Sequence, residues 1–484
     1  MTTYIESLNR FIPELIACMT MLVAIFLEVY TKNKKIIVFS SIIGVCTTLL
    51  YLVLNFSTES AKIFSNSLVI DSYSVTLKAF IVFCTGVILF LGLVSSSIFE
   101  KLKGEFVILA LGVMIGAMLL VSANNLLIMY IGVETMSLIS YALATFKKSN
   151  EKSVEAGVKY LLYGAVASGV MLYGMGHIYG MIGSIEFFEI SKMIQNFSRS
   201  ESLLFLPVAM LFFMGIGYKI AMVPFHMWAP DVFEGSPTPV TTLFALVPKI
   251  AGVALLIRVS LLFFGVNNLI VHFGWASFIG LLAVLTMTVG NITAIGQSSV
   301  KRMLAFSSIS HIGVLILGVV VANRDGIDAM IFYILTYIFM GLGAFYIVSL
   351  VDSKFGNDEF DRFSGMVKKE PLMVIVLSII MFSFAGLPPF SGFVAKFNIL
   401  RVLLSKQYYI LAIITVLNSV ISLYYYLKLV RYMTLNKLED EDVNLNFSIP
   451  NKVVVFTLFV PVVALGIWWE KAIGVIGNAK ILLQ

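Results

Sequence analysis

The sequence predicts an all-α, polytopic membrane protein with about fourteen transmembrane helices. Three observations carry this reading. Hydrophobic residues fill 59% of the 484 positions and charged residues only 12%, against about 45–50% and about 25% in soluble globular domains. Mean hydropathy is +0.98, which is more apolar surface than one water-soluble core can bury. The apolar residues also fall into fourteen continuous runs, each near the roughly 20 residues that one bilayer crossing needs. Continuous rather than alternating runs exclude a porin-like barrel.

In chain order the runs lie near 11–30, 36–54, 74–95, 105–122, 124–146, 156–182, 202–222, 239–263, 268–293, 303–321, 327–351, 371–404, 408–430 and 450–469. The first is of full spanning length, carries Glu14 and Glu28 and precedes no small-residue cleavage site, so it reads as a span rather than a cleavable signal. Connections after odd-numbered spans hold 17 Lys and Arg, and those on the other side, both termini included, hold 9. The positive-inside bias therefore puts both termini outside. The net charge of +6 follows from that bias and requires no nucleic acid. The longest polar connection, near 431–449, contains Glu439, Asp440, Glu441 and Asp442. It lacks the spaced ligands and glycine of a calcium loop and reads as a solvated loop. The residues after Trp469 read as a short tail of about 22 Å if helical.

The cysteines Cys18, Cys46 and Cys84 lie in three different runs, and His177, His226, His272 and His311 are far apart in sequence. Neither set has the short, ordered spacings of zinc, iron–sulfur or haem ligands. No cofactor is expected in this chain, and any redox groups are expected on partner chains.

Seven basic residues lie inside spans: Lys78, Lys159, Lys219, Lys249, Arg258, Lys396 and Lys428. Lys78 and Lys159 sit near helix entrances, Lys159 one turn after Glu155. Arg258 and Lys428 lie close enough to span ends to snorkel. Glu134, Lys219, Lys249 and Lys396 have no such excuse. Glu134 is roughly 15 Å from either end of its span, where a charge costs at least about 2.5–3.5 kcal/mol. Such residues usually face a partner or a wet interior. The alternative is a static salt bridge that only ties helices together.

Two of these lysines adjoin proline breaks. One segment reads Gly215-Ile-Gly-Tyr-Lys219-Ile-Ala-Met-Val-Pro224-Phe-His226, the other Gly386-Leu-Pro388-Pro389-Phe-Ser-Gly392-Phe-Val-Ala-Lys396. Proline frees a carbonyl, and in lipid a freed group must meet protein or water. Interrupted helices in corresponding positions of two halves point to an ion pathway between inverted repeats. The units would be spans four to eight (105–263) and nine to thirteen (268–433), with helices one to three in 1–104 and the last helix and tail in 450–484. His311, about 13 Å into its span, has the chemistry of a proton relay or of a structural donor, and His226 follows the first break. Gly174, Gly176 and Gly180 lie within an apolar run and read as helix packing, as do Gly112 and Gly116. Trp468 and Trp469 read as interfacial anchors.

The stretch from Lys219 through Pro224, Trp228, Asp231, Glu234 and Gly235 to Pro239 closely resembles the signature of the antiporter-like subunits of respiratory complex I. Lys301 to His311 and Gly386 to Lys396 match as well, and the resemblance covers essentially the whole chain. It implies fourteen helices with two inverted five-helix units, each containing a broken helix. The chain is most similar to the N-type members: its short tail differs from members with a long lateral helix, and Lys396 stands where another type has Glu. The resemblance makes Glu134 the fifth-span glutamate, Lys219 the lysine of the first broken helix, Lys249 the central lysine and Lys396 the exit lysine; it fixes the role of His311 less closely.

It further implies a proton-translocating subunit of an NADH:quinone oxidoreductase in the respiratory chain, located in a bacterial inner membrane with both termini periplasmic. Its partners would be the other membrane-arm subunits, antiporter-like ones included. Quinone, flavin and iron–sulfur clusters would sit on partner subunits, and quinone reduction there would drive the relay. Subunits of multi-subunit cation/proton antiporters share the fold and can carry Lys at the position of Lys396, so they form the alternative. A purely structural scaffold is the third reading.

Overall fold

The computed structural model describes residues 4–56, 60–98, 100–265, 268–437, 446–477 and 481. The acidic run from Glu439 to Asp442, expected as a solvated loop, lies outside these residues. The chain opens with α1 (Tyr4–Arg10), α2 (Ile12–Tyr30) and α3 (Lys34–Leu54), followed by a small antiparallel hairpin of β1 (Ala61–Ile63) and β2 (Leu68–Ile70) and by α4 (Ser72–Val94). Next come α5 (Lys103–Ser122), α6 (Leu126–Ala144), α7 (Glu151–Ile182), a short α8 (Phe187–Gln195) and α9 (Arg199–Lys219). After a break, α10 (Trp228–Gly235) leads into α11 (Thr238–Phe264) and α12 (Leu269–Ile295). The remainder is α13 (Val300–Leu315), its continuation α14 (Leu317–Val320), α15 (Arg324–Phe355), α16 (Pro371–Ala385), α17 (Ser391–Ser405), α18 (Tyr409–Leu435), α19 (Ile449–Ile467) and α20 (Trp469–Ile476).

Among the described residues, thirteen helical segments are long and apolar enough to cross a membrane, each within a few residues of an expected run. The remaining run, 371–404, is two helices of 15 residues, α16 and α17, separated at Gly386–Phe390. Local chemistry sets the boundaries. Asp71 and Ser74 form a capping box at the start of α4, as Ser198 and Glu201 do for α9. Asn125, Asn150, Asn268, Ser299 and Asn323 cap α6, α7, α12, α13 and α15. Gly386 ends α16 at φ +88°, the left-handed region that glycine occupies freely.

The layers place α11 and the α13–α14 segment innermost, with their most apolar stretches wholly buried. These are the helices that carry Lys249 and His311. Small residues bring their neighbours close: Gly112 and Gly116 of α5 pack on Ile139 and Met136 of α6, and Gly174 of α7 on the Phe212 backbone of α9.

One end of the bundle gathers the basic connections. Ser96 bonds to Ser353, the Val300 N–H to the Asp358 carbonyl, and the Gly365 N–H to the Tyr432 carbonyl. Lys301 Nζ donates to the carbonyls of Glu234 and Ser236 at the same end.

Two charges behave otherwise than their sequence positions suggest. Arg258 does not snorkel: it is 1% exposed and donates to both carboxylate oxygens of Asp71 at 3.1 Å. Lys78 is not a first-turn surface residue; it is equally buried and paired with Glu14 of α2. Both corrections have one cause. The first three spans pack against the rest of the bundle, so positions that look terminal in sequence are covered. Tyr73 adds a hydrogen bond to the Ala254 carbonyl of α11. Lys159 does pair with Glu155, and also with Asp231. Lys428 donates to the Gln297 carbonyl beside the Phe360 ring.

Candidate functional site

The first break begins where α9 stops at Lys219, and the chain runs through Ala221 at φ +59° and Pro224 before helix resumes at Trp228. Side chains take up the freed backbone groups. The Trp228 indole donates to the Tyr218 carbonyl at 3.0 Å, and the Val223 N–H donates to Thr286 of α12. Lys219 Nζ, 1% exposed, donates to Ser137 Oγ at 3.0 Å. Ser137 lies three residues after Glu134 on the same face of α6. Glu134 is near enough to Lys219 to interact electrostatically, but it makes no ion pair among the described residues, and its Oε1 is buried without a partner.

The stem of Lys219 lies over Gly252 of α11, where an added Cβ would stand 3.7 Å from the lysine's Cβ and Cγ. Lys249 is one turn away on the same helix, directly after Pro248, a proline inside α11. Its Nζ donates to Ser308 Oγ of α13 at 2.6 Å and faces the Phe233 ring. Three residues beyond Ser308 stands His311. Its Nδ1 meets the Tyr333 hydroxyl at 2.7 Å and its Nε2 the Tyr426 hydroxyl at 3.1 Å. The rings of Tyr337 and Phe384 complete the cage.

The second break differs in detail. Pro388 and Pro389 lie in the gap, and Lys396 comes from the far half-helix, α17. Its Nζ reaches back to the carbonyls of Phe384 and Ala385, at 2.9 and 3.0 Å, the open end of α16. A cation is favourable there, since the last carbonyls of a helix carry its negative end.

Lys219, Lys249, His311 and Lys396 are thus joined in sequence through Gly252, Ser308 and Phe384, with Glu134 adjoining the first. His226 is also buried, with Nδ1 unpartnered, beside Pro224 of the break. Sequence reasoning missed Ser137, Ser308, Tyr333 and Tyr426. The first two carry a usable signal, being three residues from Glu134 and His311 on their own helices. The tyrosines carry none, because their helices are distant in sequence.

A ring of ions holds α10 in place. Asp231 pairs with Lys159 and Arg302, and Glu234 with Lys152 and Arg302. Burial alone would push both carboxyls up, but the facing cations outweigh it and hold each below its ordinary value.

The family described as NADH:quinone oxidoreductase/Mrp antiporter, TM, matches residues 123–422, which include Glu134, Lys219, Lys249, His311 and Lys396. The chain belongs to this family. It is 33% identical to NADH-quinone oxidoreductase subunit N 2 of Chloroherpeton thalassium, covering 97% of this chain and 95% of that one. It is 35% identical to NADH-quinone oxidoreductase subunit N of Nitrosomonas europaea, covering 95% and 94%. Among solved structures, a chain of respiratory complex I from Thermus thermophilus superposes with a TM-score of 0.82 at 27% identity, covering 97% of this chain and all of that one. A chain of the Mrp complex from Dietzia shares the fold, with a TM-score of 0.82 at 20% identity and 97% of each chain covered. The N-type resemblance expected from the sequence is borne out by these relatives.

Proposed function

We propose that this chain is a proton-translocating membrane-arm subunit of an NADH-quinone oxidoreductase, with Glu134, Lys219, Lys249, His311 and Lys396 as its proton stations. One observation carries this reading. Each of the three lysines is buried and bonded to neutral acceptors: Ser137, Ser308 and two carbonyls. Where this chain uses buried charge as a clamp it supplies the countercharge, as in Glu14–Lys78 and Asp71–Arg258. An amine bonded to a hydroxyl or carbonyl can give up or regain its proton without breaking a direct ion pair. The scaffold reading predicts the opposite arrangement.

On this reading Glu134 acts on Lys219 as a nearby countercharge. When that influence changes, the proton on Lys219 moves past Gly252 to Lys249, then by Ser308 and His311 to Lys396. Each charge moved against 100 mV costs about 2.3 kcal/mol, so the drive comes from quinone reduction on partner subunits, which also hold the flavin and iron–sulfur groups. Residues 105–263 and 268–433 form the two inverted units, each with one break. The protein is multi-pass; we place it in the bacterial inner membrane with both termini periplasmic, following the basic connections at the opposite end. The shared fold with an Mrp complex keeps a cation/proton antiporter subunit as the second reading, but full-length relatives named as oxidoreductase subunits favour the first.

The test is proton pumping by the assembled complex in vesicles. Lys219→Ala and Glu134→Ala lower pumping while the complex assembles and oxidises NADH. Normal pumping by both refutes the relay, and sodium–proton exchange without electron transfer supports the second reading.

A further inference from the structure

Phe384 adjoins both His311 and Lys396, the first through its ring and the second through its backbone carbonyl. Its ring centroid is 5.1 Å from that of the imidazole. The same ring stacks on Tyr426 at 5.7 Å and is 2% exposed. A phenyl ring accepts no mobile proton, so the Phe384 side chain offers no relay between the two stations.

Beside it runs a line of side-chain hydroxyls on α18. Tyr426 meets His311 Nε2 and also interacts with Ser307 of α13. Tyr425 lies against Tyr426, with ring centroids 4.4 Å apart and interacting hydroxyls. The Tyr425 hydroxyl also interacts with Ser422, one turn along the helix, and the Ser422 hydroxyl bonds to the Ser419 carbonyl. Ser419 lines a crevice of about 220 Å³ whose other walls include Gly386, Leu387 and Lys396 itself. Its remaining walls are apolar, Phe393, Phe397, Leu400 and Val420 among them, so water there is held at the polar end by the amine and by Ser419, whose hydroxyl donates to the Thr415 carbonyl at 3.0 Å. Positions 419, 422 and 425–426 share one helical face. Asn291 of α12 accepts from the Tyr425 hydroxyl at 2.9 Å while donating to Asn418, which fixes the tyrosine in line.

We propose that the hydroxyls of Tyr426, Tyr425, Ser422 and Ser419 form a ladder that carries protons around the Phe384 ring, from His311 into the crevice at Lys396. This rests on the relay proposed above and names a part of it. Protonated His311 gives its Nε2 proton to the Tyr426 oxygen as Tyr426 passes its own onward. Each hydroxyl ends neutral, and the proton arrives on the unprotonated Lys396 amine through crevice water. Asn291 is a positioning residue, since it acts only by holding Tyr425.

The experiment uses the whole complex in vesicles and measures protons pumped per NADH oxidised. Ser422→Val and Ser422→Thr have the same shape, but only the second keeps the hydroxyl. Pumping falls roughly tenfold in Ser422→Val and stays near wild type in Ser422→Thr; Tyr425→Phe behaves like the valine variant. Phe384→Ala, which opens space for water beside His311, restores pumping when combined with Ser422→Val. Lys249→Ala is the control for the relay. If it pumps normally, the relay itself is wrong. If it is dead while Ser422→Val and Tyr425→Phe pump normally, the relay stands and the ladder is overturned. Equal losses in the valine and threonine variants also overturn it, since they would report packing rather than proton passage. Should Tyr425→Phe fail to assemble, the Ser422 pair alone decides.

Discussion

Lys396 donates to the Phe384 carbonyl at 2.9 Å, so the amine of one half-helix closes the end of the other across the second break. The lysine therefore has a structural share as well as a chemical one. Lys396→Met uncaps α16 and lowers stability by about 1–2 kcal/mol; Lys396→Arg, which keeps a cation within reach, loses less. Thermal unfolding of the purified complex distinguishes them.

The Asp71–Arg258 pair is buried on both sides, and leaving either charge alone is costly. Asp71→Leu is expected to destabilise by about 3–5 kcal/mol, and the double replacement with Arg258→Leu to recover most of it. Denaturation of the two variants against wild type checks this.

The ion ring around α10 makes a pH prediction. A carboxyl held below its unfolded value adds stability that is fully present above that value and lost as pH falls through the folded one. Asp231 and Glu234 are both held low, and their unfolded values are about 3.9 and 4.3. Acidification from pH 7 to about 5 therefore leaves this contribution intact; the loss begins only near about pH 4 and is complete once pH falls below the lowered folded values. Arg302→Gln removes much of the acid-dependent part, which a melting series across pH reads out.

Gly252 lets α11 approach the Lys219 stem, and an added Cβ there would meet Ile220 at 2.6 Å. Gly252→Leu drives a wedge between Lys219 and the helix of Lys249, with an overpacking cost of about 1–3 kcal/mol. Pumping should fall while NADH oxidation persists; Gly252→Ala should be much milder. Vesicle acidification alongside NADH consumption measures both.

The spans were legible because lipid leaves a chain few options. Every backbone group must bond internally, so each apolar run becomes a helix, and Asn125 or Ser198 marks its start. Glu134, Lys219, Lys249 and Lys396 stood out for the same reason: a charge in the middle of such a run needs explaining. Their partners did not stand out. The carboxylate of Arg258 lies 187 residues upstream, Ser308 lies 59 residues beyond Lys249, and Tyr426 lies 115 beyond His311. Helix periodicity orders neighbours within a turn or two and says nothing of what a distant helix brings. Pro248, directly before Lys249 and inside α11, is a further proline signal beside the two larger breaks.

Helix α12 reaches both the first break and α18. Through Thr286 it holds the Val223 amide in the first break, and through Asn291, five residues on, it anchors Asn418 and Tyr425 of α18. Those two grips are only about 7.5 Å apart along a stiff rod. A twist of that rod in its seat would move the Val223 amide and the Tyr425 hydroxyl together.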